Sequence, residues 1–427
     1  MNKTLAGLTE TTANSFYPVW KHLSYNQTRS GLIIENFNYY TPTQVVFGKN
    51  AEAKVGELVK AQNCKKVLVH FGGNSAKKSG LLDRVYASLN EAGIKYVSLG
   101  GVVPNPRVSK VREGIELCKK EGVDFLLAVG GGSVIDSCKA IGYGLANDCD
   151  VWDLYEGKVK PTGAYPVGAV LTIAAAGSEM SNSSVITNED GWYKKACNTD
   201  YIRCKFAIMN PELTYTLPQY QTQSGCTDIL MHTMERYFTD VDTMELTDVI
   251  AESLMRNVIR NAKILMKDPQ NYEARANIMW ASSLAHNDLT GCGAVGDYAS
   301  PKLEHELGGL FDVTHGAGLS AVWGSWARYV YKHKPERFAQ FAVNVLGVYN
   351  HPEDPERTAL EGIKAMEEFY RSIERPISIK ELLNGKEVTD AEIDEMAEKC
   401  SQGDTVITGH FVPLKKADLV EIYTMAR

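Results

Sequence analysis

From Phe37 onward, short apolar runs rich in β-branched residues alternate with stretches in which apolar residues recur every three to four positions. Residues 43–47, 66–71, 95–99, 124–129, 167–172 and 205–209 carry the strand pattern; 51–61, 80–92, 108–121 and 133–145 carry the helical one. Alternation at this spacing predicts a largely parallel sheet covered by helices on both faces. Leu126-Leu127-Ala128-Val129 and Val67-Leu68-Val69 are apolar at every position, as strands buried on both faces should be. After Thr216-Leu217-Pro218 the strand pattern fades. Residues 248–266, 271–287, 316–331, 336–345 and 355–373 all show helical spacing, with breaks at 291–296 and 350–352. The chain thus divides into an extension (1–36), an α/β half (37–215) and an all-helical half (216–427). The cleft between the two halves is the expected site.

Composition narrows the function classes. Net charge is −7, with 52 acids against 45 bases, and no Lys/Arg run is dense enough to track phosphates, which argues against nucleic acid as a partner. The longest apolar stretch, 165–177, falls short of the roughly 20 residues that cross a bilayer, so no membrane association is expected. Nine cysteines without a CxxC pair are neither a disulfide framework nor a zinc knuckle; they suit a reduced cytoplasm. Residues 1–36 are polar, with Phe16, Tyr17 and Trp20, and lack both a secretory h-region and the arginines of a transit peptide. They read as a short extension or a strap against the body or a partner subunit.

Three strand ends carry residues suited to a nucleotide. Gly130-Gly131-Gly132-Ser133 follows the buried strand 124–129 and opens a helix containing Asp136 and Lys139. Such a turn lets backbone approach a pyrophosphate in front of a helix N-terminus; it equally serves as a plain tight turn. Gly72-Gly73-Asn74-Ser75 follows strand 66–71. Where an NAD-specific fold keeps an acid for the ribose 2′-hydroxyl, this segment has Asn74, Ser75, Lys77 and Lys78, which favours NADP over NAD. Thr172 through Glu179 follows the third strand, and Lys194 lies downstream, within reach of a cofactor hydroxyl or phosphate.

Among nine histidines, His232 stands four residues after Asp228 on a helical stretch, the spacing of two metal ligands on one face and also of an ordinary surface pair. His305 and His315 flank a second segment. A carboxylate with imidazoles suits Fe(II) or Zn(II) rather than Ca or Mg. His22, His70, His286, His333, His351 and His410 read as structural or solvated, and Trp323 and Trp326 as core. No GxSxG elbow is present, which weakens hydrolase readings.

The order of these motifs resembles the iron-containing alcohol dehydrogenase family, in its NADP-dependent butanol dehydrogenase and aldehyde reductase branch. The matching text begins with Phe37-Asn38-Tyr39-Tyr40-Thr41-Pro42-Thr43 and Phe47-Gly48. It continues through Phe71 to Ser75 with Lys78, Pro104-Asn105-Pro106, Gly130 to Lys139, and Thr172 with Gly177-Ser178-Glu179. Leu217-Pro218, Asp228 with His232, and His305 through Gly316 complete it. The resemblance implies a Rossmann-like dinucleotide-binding domain, an all-helical domain, a dehydroquinate synthase-like architecture and a divalent metal in the cleft. It implies NADP(H) bound by Gly72, Gly73, Ser75, Gly131, Gly132, Ser133, Asp136, Thr172 and Lys194. It further implies metal ligands at Asp228, His232 and His315, a catalytic His305 near nicotinamide and substrate, and a homodimer.

One position departs from the family pattern. The family's third ligand lies one helical turn before the equivalent of His305, and that position here is Pro301, which has no lone pair to give. Read locally, Ser300-Pro301 looks like an N-cap followed by proline at the first helical position. Water could complete the shell, His305 could move in, or metal could be absent. Asp297, Glu304 and His286 are near in sequence, but no periodicity recruits them. The activity implied is reversible hydride transfer between NADP(H) and a small alcohol or aldehyde. The rivals are a glycerol- or dehydroquinate synthase-type relative, and a cofactor-binding protein without catalysis.

Overall fold

The computed structural model describes residues 34–241 and 244–427. The expected extension, with Phe16, Tyr17, Trp20 and His22, lies outside the described residues except for its last three. Among the described residues eight strands are formed: β1 (Gln44–Phe47), β2 (Lys66–Phe71), β3 (Lys95–Leu99), β4 (Phe125–Gly130), β5 (Val167–Leu171), β6 (Ser183–Asn188), β7 (Tyr193–Asn198) and β8 (Phe206–Met209). Six of them make a wholly parallel sheet in the order β1-β8-β5-β4-β2-β3.

Burial on both faces explains the uninterrupted apolar strands. Leu68, Leu126 and Ala128 point into one core, while Val67, Val69, Leu127 and Val129 point into the other. Each such side chain, removed from water, contributes roughly 1.5–3 kcal/mol. The chain runs from β2 to β3 on one side and then crosses to β4 on the other, so the direction of winding reverses between β2 and β4. The crevice outside the carboxyl ends of strands at such a reversal is where open α/β sheets take ligands.

The C-terminal half is helical, as expected. The helices Gln219–Tyr237, Glu245–Lys267, Tyr272–His286, Ala299–Phe311, His315–Val330, Pro335–Leu346 and Pro355–Ser372 follow one another. Trp323 and Trp326 are buried in this half's core. Among the described residues, no helix is long and apolar enough to cross a membrane.

Two local expectations are corrected. Strands β6 and β7 form an antiparallel hairpin that the hydrophobic pattern did not suggest. Ser183–Asn188 and Tyr193–Asn198 are mostly polar, and β7 is half exposed, so neither shows an apolar face strong enough to read. The helix containing Pro301 starts two residues before the proline, at Ala299, so Ser300 is not its N-cap. The Asp297 carboxylate takes over that task, accepting from the Ala299 amide (3.0 Å) and also from the amides of His410 and Phe411. Proline at the third helical position still removes only an amide that has no intrahelical partner.

Candidate active site

The parallel sheet brings all three nucleotide-like turns to one edge. β2 is in register with β4 from Val67↔Phe125 to Phe71↔Val129, and β4 with β5 up to Gly130↔Leu171. The turns beginning at Gly72, Gly131 and Thr172 therefore emerge side by side. Gly131 has no room for a side chain, since a Cβ there would lie 2.0 Å from Ile173 Cγ2. The helix Gly132–Ala146 starts behind it, and its first turn carries amides without an intrahelical partner. Gly72 and Ser133 are half-buried, and Gly73 and Ser75 are exposed, all on the open edge.

Asp136 and Lys139 are committed to the protein itself. The Asp136 carboxylate accepts from Ser178 Oγ (2.5 Å) and the Val185 amide (3.0 Å). Lys139 Nζ is fully buried and donates to the carbonyls of Ser178 (2.6 Å), Ser181 (2.9 Å) and Ser183 (2.8 Å). Together they fasten the loop after β5 and the hairpin to the helix behind the glycine turn. Burial raises the pKa of Asp136 and lowers that of Lys139.

The loop after β5 is also the seam with the helical half. Ser283 Oγ donates to the buried Glu179 carboxylate (2.5 Å), and His286 Nδ1 meets the Ala176 carbonyl at 2.5 Å. Directly across the seam, the helix Gln219–Tyr237 presents Asp228 and His232, both buried. They are therefore no surface pair. His315, the first residue of the helix His315–Val330, joins them: ligand atoms of Asp228, His232 and His315 lie within 4.8 Å of one another. Asp228 Oδ1 is 3.3 Å from His232 Nε2 and 3.6 Å from His315 Nε2.

Whether this cluster fits a cation can be read from its unpaired atoms. Asp228 Oδ1 and His232 Nε2 are both buried without a hydrogen-bond partner, which costs about 1–3 kcal/mol for each polar group so left. A divalent ion between them satisfies both. The far sides of the imidazoles are anchored as metal-bound histidines usually are. His232 Nδ1 is held by Glu235 at 2.8 Å, and His315 Nδ1 by the buried Glu304 carboxylate. Burial, reinforced by Lys194, lowers the His315 pKa to about 3, so its ring is neutral and able to ligate. For His232 burial disfavours the charged form, but Glu235 and Asp228 outweigh it and raise the pKa; a cation entering there displaces a proton.

Lys194, on β7, was expected near the cofactor. Its ammonium pairs with Glu304 Oε2 at 3.2 Å, behind His315, with both side chains buried. His305 lies one turn beyond Pro301, with its ring 5.7 Å from that of His315. Neither of its nitrogens has a hydrogen-bond partner among the described residues; burial, with Lys194 and His315, pushes its pKa well below the ordinary range. Thr172 donates its amide to the Gly130 carbonyl (3.1 Å), which fixes the start of its loop beside the glycine turn.

Sequence reasoning missed Glu235, which orients His232, and set aside two residues it had named: Glu304, which orients His315, and His286, whose ring stacks on His232 at 4.1 Å between centroids. Glu235 lies three residues after His232 on one helix, and that spacing was a usable signal.

A family model described as iron-containing alcohol dehydrogenase matches residues 42–211, and its C-terminal counterpart matches residues 222–427. The chain belongs to the iron-containing alcohol dehydrogenases. It is accordingly an alcohol and aldehyde oxidoreductase that works with a nicotinamide cofactor and a divalent metal. It is 39% identical over 389 residues to the probable NADH-dependent butanol dehydrogenase 1 of Bacillus subtilis (strain 168), covering 91% of this chain and 99% of that protein. The NADPH-dependent aldehyde reductase YqhD of Escherichia coli (strain K12) is 33% identical over 351 residues, covering 82% and 89%. The crystal structure of NADH-dependent butanol dehydrogenase A from Thermotoga maritima superposes with a TM-score of 0.88 at 36% identity, covering 92% of this chain and 99% of that one.

Proposed function

We propose that this enzyme moves hydride reversibly between NADP(H) and a small primary alcohol or aldehyde of the butanol/butanal class, with Fe(II), or else Zn(II), held by Asp228, His232 and His315. The names of its relatives divide between NADH and NADPH. The observation that carries the NADP reading is the turn after β2: Gly72-Gly73-Asn74-Ser75-Ala76-Lys77-Lys78-Ser79 contains no carboxylate to accept from a ribose 2′-hydroxyl. It offers Ser75 and two lysines on the exposed edge instead. Its exposed position suits a phosphate that stays partly hydrated.

The remaining roles follow from position. Gly131, Gly132 and Ser133 would receive the pyrophosphate at the start of the helix Gly132–Ala146. Gly72 and Gly73 would let the ribose side approach the backbone, and Thr172 would border the nicotinamide end. Asp136 acts by holding Ser178 and Val185, so its contribution to the cofactor is the shape of the loop. A bound divalent ion supplies Lewis-acid polarisation of the substrate oxygen. Glu235 and Glu304 fix the rings of His232 and His315. His305, neutral and with both nitrogens free of protein partners, would carry the substrate proton between the cleft and solvent. The same reading makes the protein a cytoplasmic homodimer.

The test is steady-state reduction of butanal by NADPH and by NADH, using metal-stripped protein before and after addition of Fe(II) or Zn(II). One charge-assisted contact to the 2′-phosphate is worth about 1.5–3 kcal/mol, so kcat/KM should favour NADPH at least about tenfold. Equal or reversed preference refutes the NADP assignment, and turnover that no metal restores refutes the metal-dependent mechanism.

A further inference from the structure

Pro301 stands where the family carries a metal-binding imidazole, yet a third histidine beside the cluster is prepared like the two within it. His232 Nδ1 is engaged by Glu235, His315 Nδ1 by Glu304, and His286 Nδ1 by the Ala176 carbonyl at 2.5 Å. A carbonyl can only accept, so Nδ1 of His286 carries the hydrogen and Nε2 carries the lone pair. That Nε2 has no hydrogen-bond partner among the described residues. An imidazole with one nitrogen tied to a backbone carbonyl or carboxylate and the other free is the usual state of a metal ligand. His286 is the last residue of the helix Tyr272–His286; it forms a group within 4.8 Å with His232 and Glu235, separate from the Asp228, His232 and His315 group, and His232 is shared by the two. His305, the other imidazole at hand, has no such anchor on either nitrogen.

We propose that His286 supplies the third imidazole that Pro301 cannot, so that the metal shell of this enzyme is Asp228, His232, His286 and His315. The inference rests on the metal-dependent reading above and goes beyond it in naming a ligand from a different helix. The His232 and His286 rings are stacked within 15° of parallel. Parallel stacked rings do not aim both lone pairs at one point, so the His286 ring tips out of the stack when an ion enters. The Ala176 carbonyl is the pivot.

The experiment measures metal affinity, not turnover. Full-length metal-free protein is titrated with Co(II) under chelator competition, and the visible Co(II) bands report the ligand set. His286→Leu should weaken Co(II) binding by at least about 10–100-fold, the loss that follows even from removing a ligand's support, and should change the bands. His305→Ala should leave both unchanged. Adding Pro301→His to the His286→Leu variant should restore affinity to within a few-fold. Pro301→His in the otherwise unchanged protein needs no core disruption at His286: it should gain less than about threefold if His286 already serves, and 10–100-fold if the ion lacks a third imidazole. Wild-type affinity and bands retained by His286→Leu, or a large gain from Pro301→His alone, overturns the inference. Asp228→Asn separates the two readings: if it leaves Co(II) binding intact, the ion is not at this cluster and both fail.

Discussion

Gly316 lies directly after His315 and under the backbone of the helix that carries Asp228. A Cβ built at Gly316 falls 2.0 Å from the Ser224 carbonyl oxygen and 2.7 Å from its carbon. Both atoms are backbone, so no side chain can swing aside. Ordinary contact begins at 3.4 Å, and the shortfall of about 1.4 Å (3.4 − 2.0) must be met by moving one helix from the other. Forcing a methyl into a packed interior in this way costs about 1–3 kcal/mol. The same displacement opens the 3.6 Å gap between Asp228 Oδ1 and His315 Nε2, whereas metal–ligand distances tolerate only about ±0.2 Å. Gly316→Ala is therefore expected to lose metal much more severely than it loses fold. Thermal melting with and without chelator, together with metal content per chain, reads both effects. A variant that melts within about 0.5 kcal/mol of wild type and retains full metal content would falsify the claim that these two helices are locked at their contact.

Three further outcomes follow from buried charge and from the cleft. Lys194→Met leaves the Glu304 carboxylate, fully buried, without its cation; breaking such a pair from one side costs about 3–5 kcal/mol, which urea unfolding measures, and adding Glu304→Gln should recover part of it. Asp312→Ala removes an acceptor shared by Asn105 (3.0 Å) and Arg107 (3.1 Å) of the α/β half; because Asp312 is 58% exposed, the loss should stay below about 1 kcal/mol, and a larger drop in melting would show that this contact locks the two halves. Burial lowers the pKa of His70 from 6.5 to about 4, while its ring bonds the Leu99 carbonyl and Ser137. The unfolded chain therefore takes up this proton first as pH falls: the stability is complete above pH 6.5 and is lost towards pH 4, by about 3 kcal/mol. His70→Gln should flatten that part of the stability-against-pH curve relative to wild type, and an unchanged slope would refute the assignment.

The sheet was legible because its inner strands are buried on both faces and are apolar at nearly every position. β4 therefore announces itself as an unbroken apolar run, and β2 as Val67-Leu68-Val69 followed by a His70 whose ring is hydrogen-bonded inside the fold. The hairpin was not legible, since β7 places Lys194 and Lys195 in its middle and its stability comes from what surrounds it: the Lys139 ammonium, the Asp136 carboxylate and the helix Ala299–Phe311. Asp228, His232 and His315 could be named from the resemblance, and Asp228 with His232 also from spacing on one helix. Spacing alone could not say that this pair is buried, because the helix Gln219–Tyr237 has little polar–apolar contrast and is enclosed almost all round. A helix covered on every side gives no face by which to judge one of its pairs.

Pro301 and His286 show why the ligand set in particular resists a linear reading. The helix Tyr272–His286 ends before the segment that leads to the helix Ala299–Phe311, so no helical period connects the two positions. His286 reaches the cluster through other contacts altogether. The loop after β5 docks on its helix through Glu179 and Ser283, the Ala176 carbonyl fixes its tautomer, and the His232 ring covers its face. Of those partners, Glu179, Ala176 and His232 are remote in sequence from both Pro301 and His286. Proline at 301 is locally harmless, because a third helical residue needs no amide donor, and histidine at 286 is locally unremarkable at a helix C-terminus. Their relation exists only in the fold, where the His286 ring stacks on His232, the residue that also groups with Asp228 and His315. On the proposal above, that shared His232 is what would let a sequence with proline at 301 bring three imidazoles and a carboxylate to one ion.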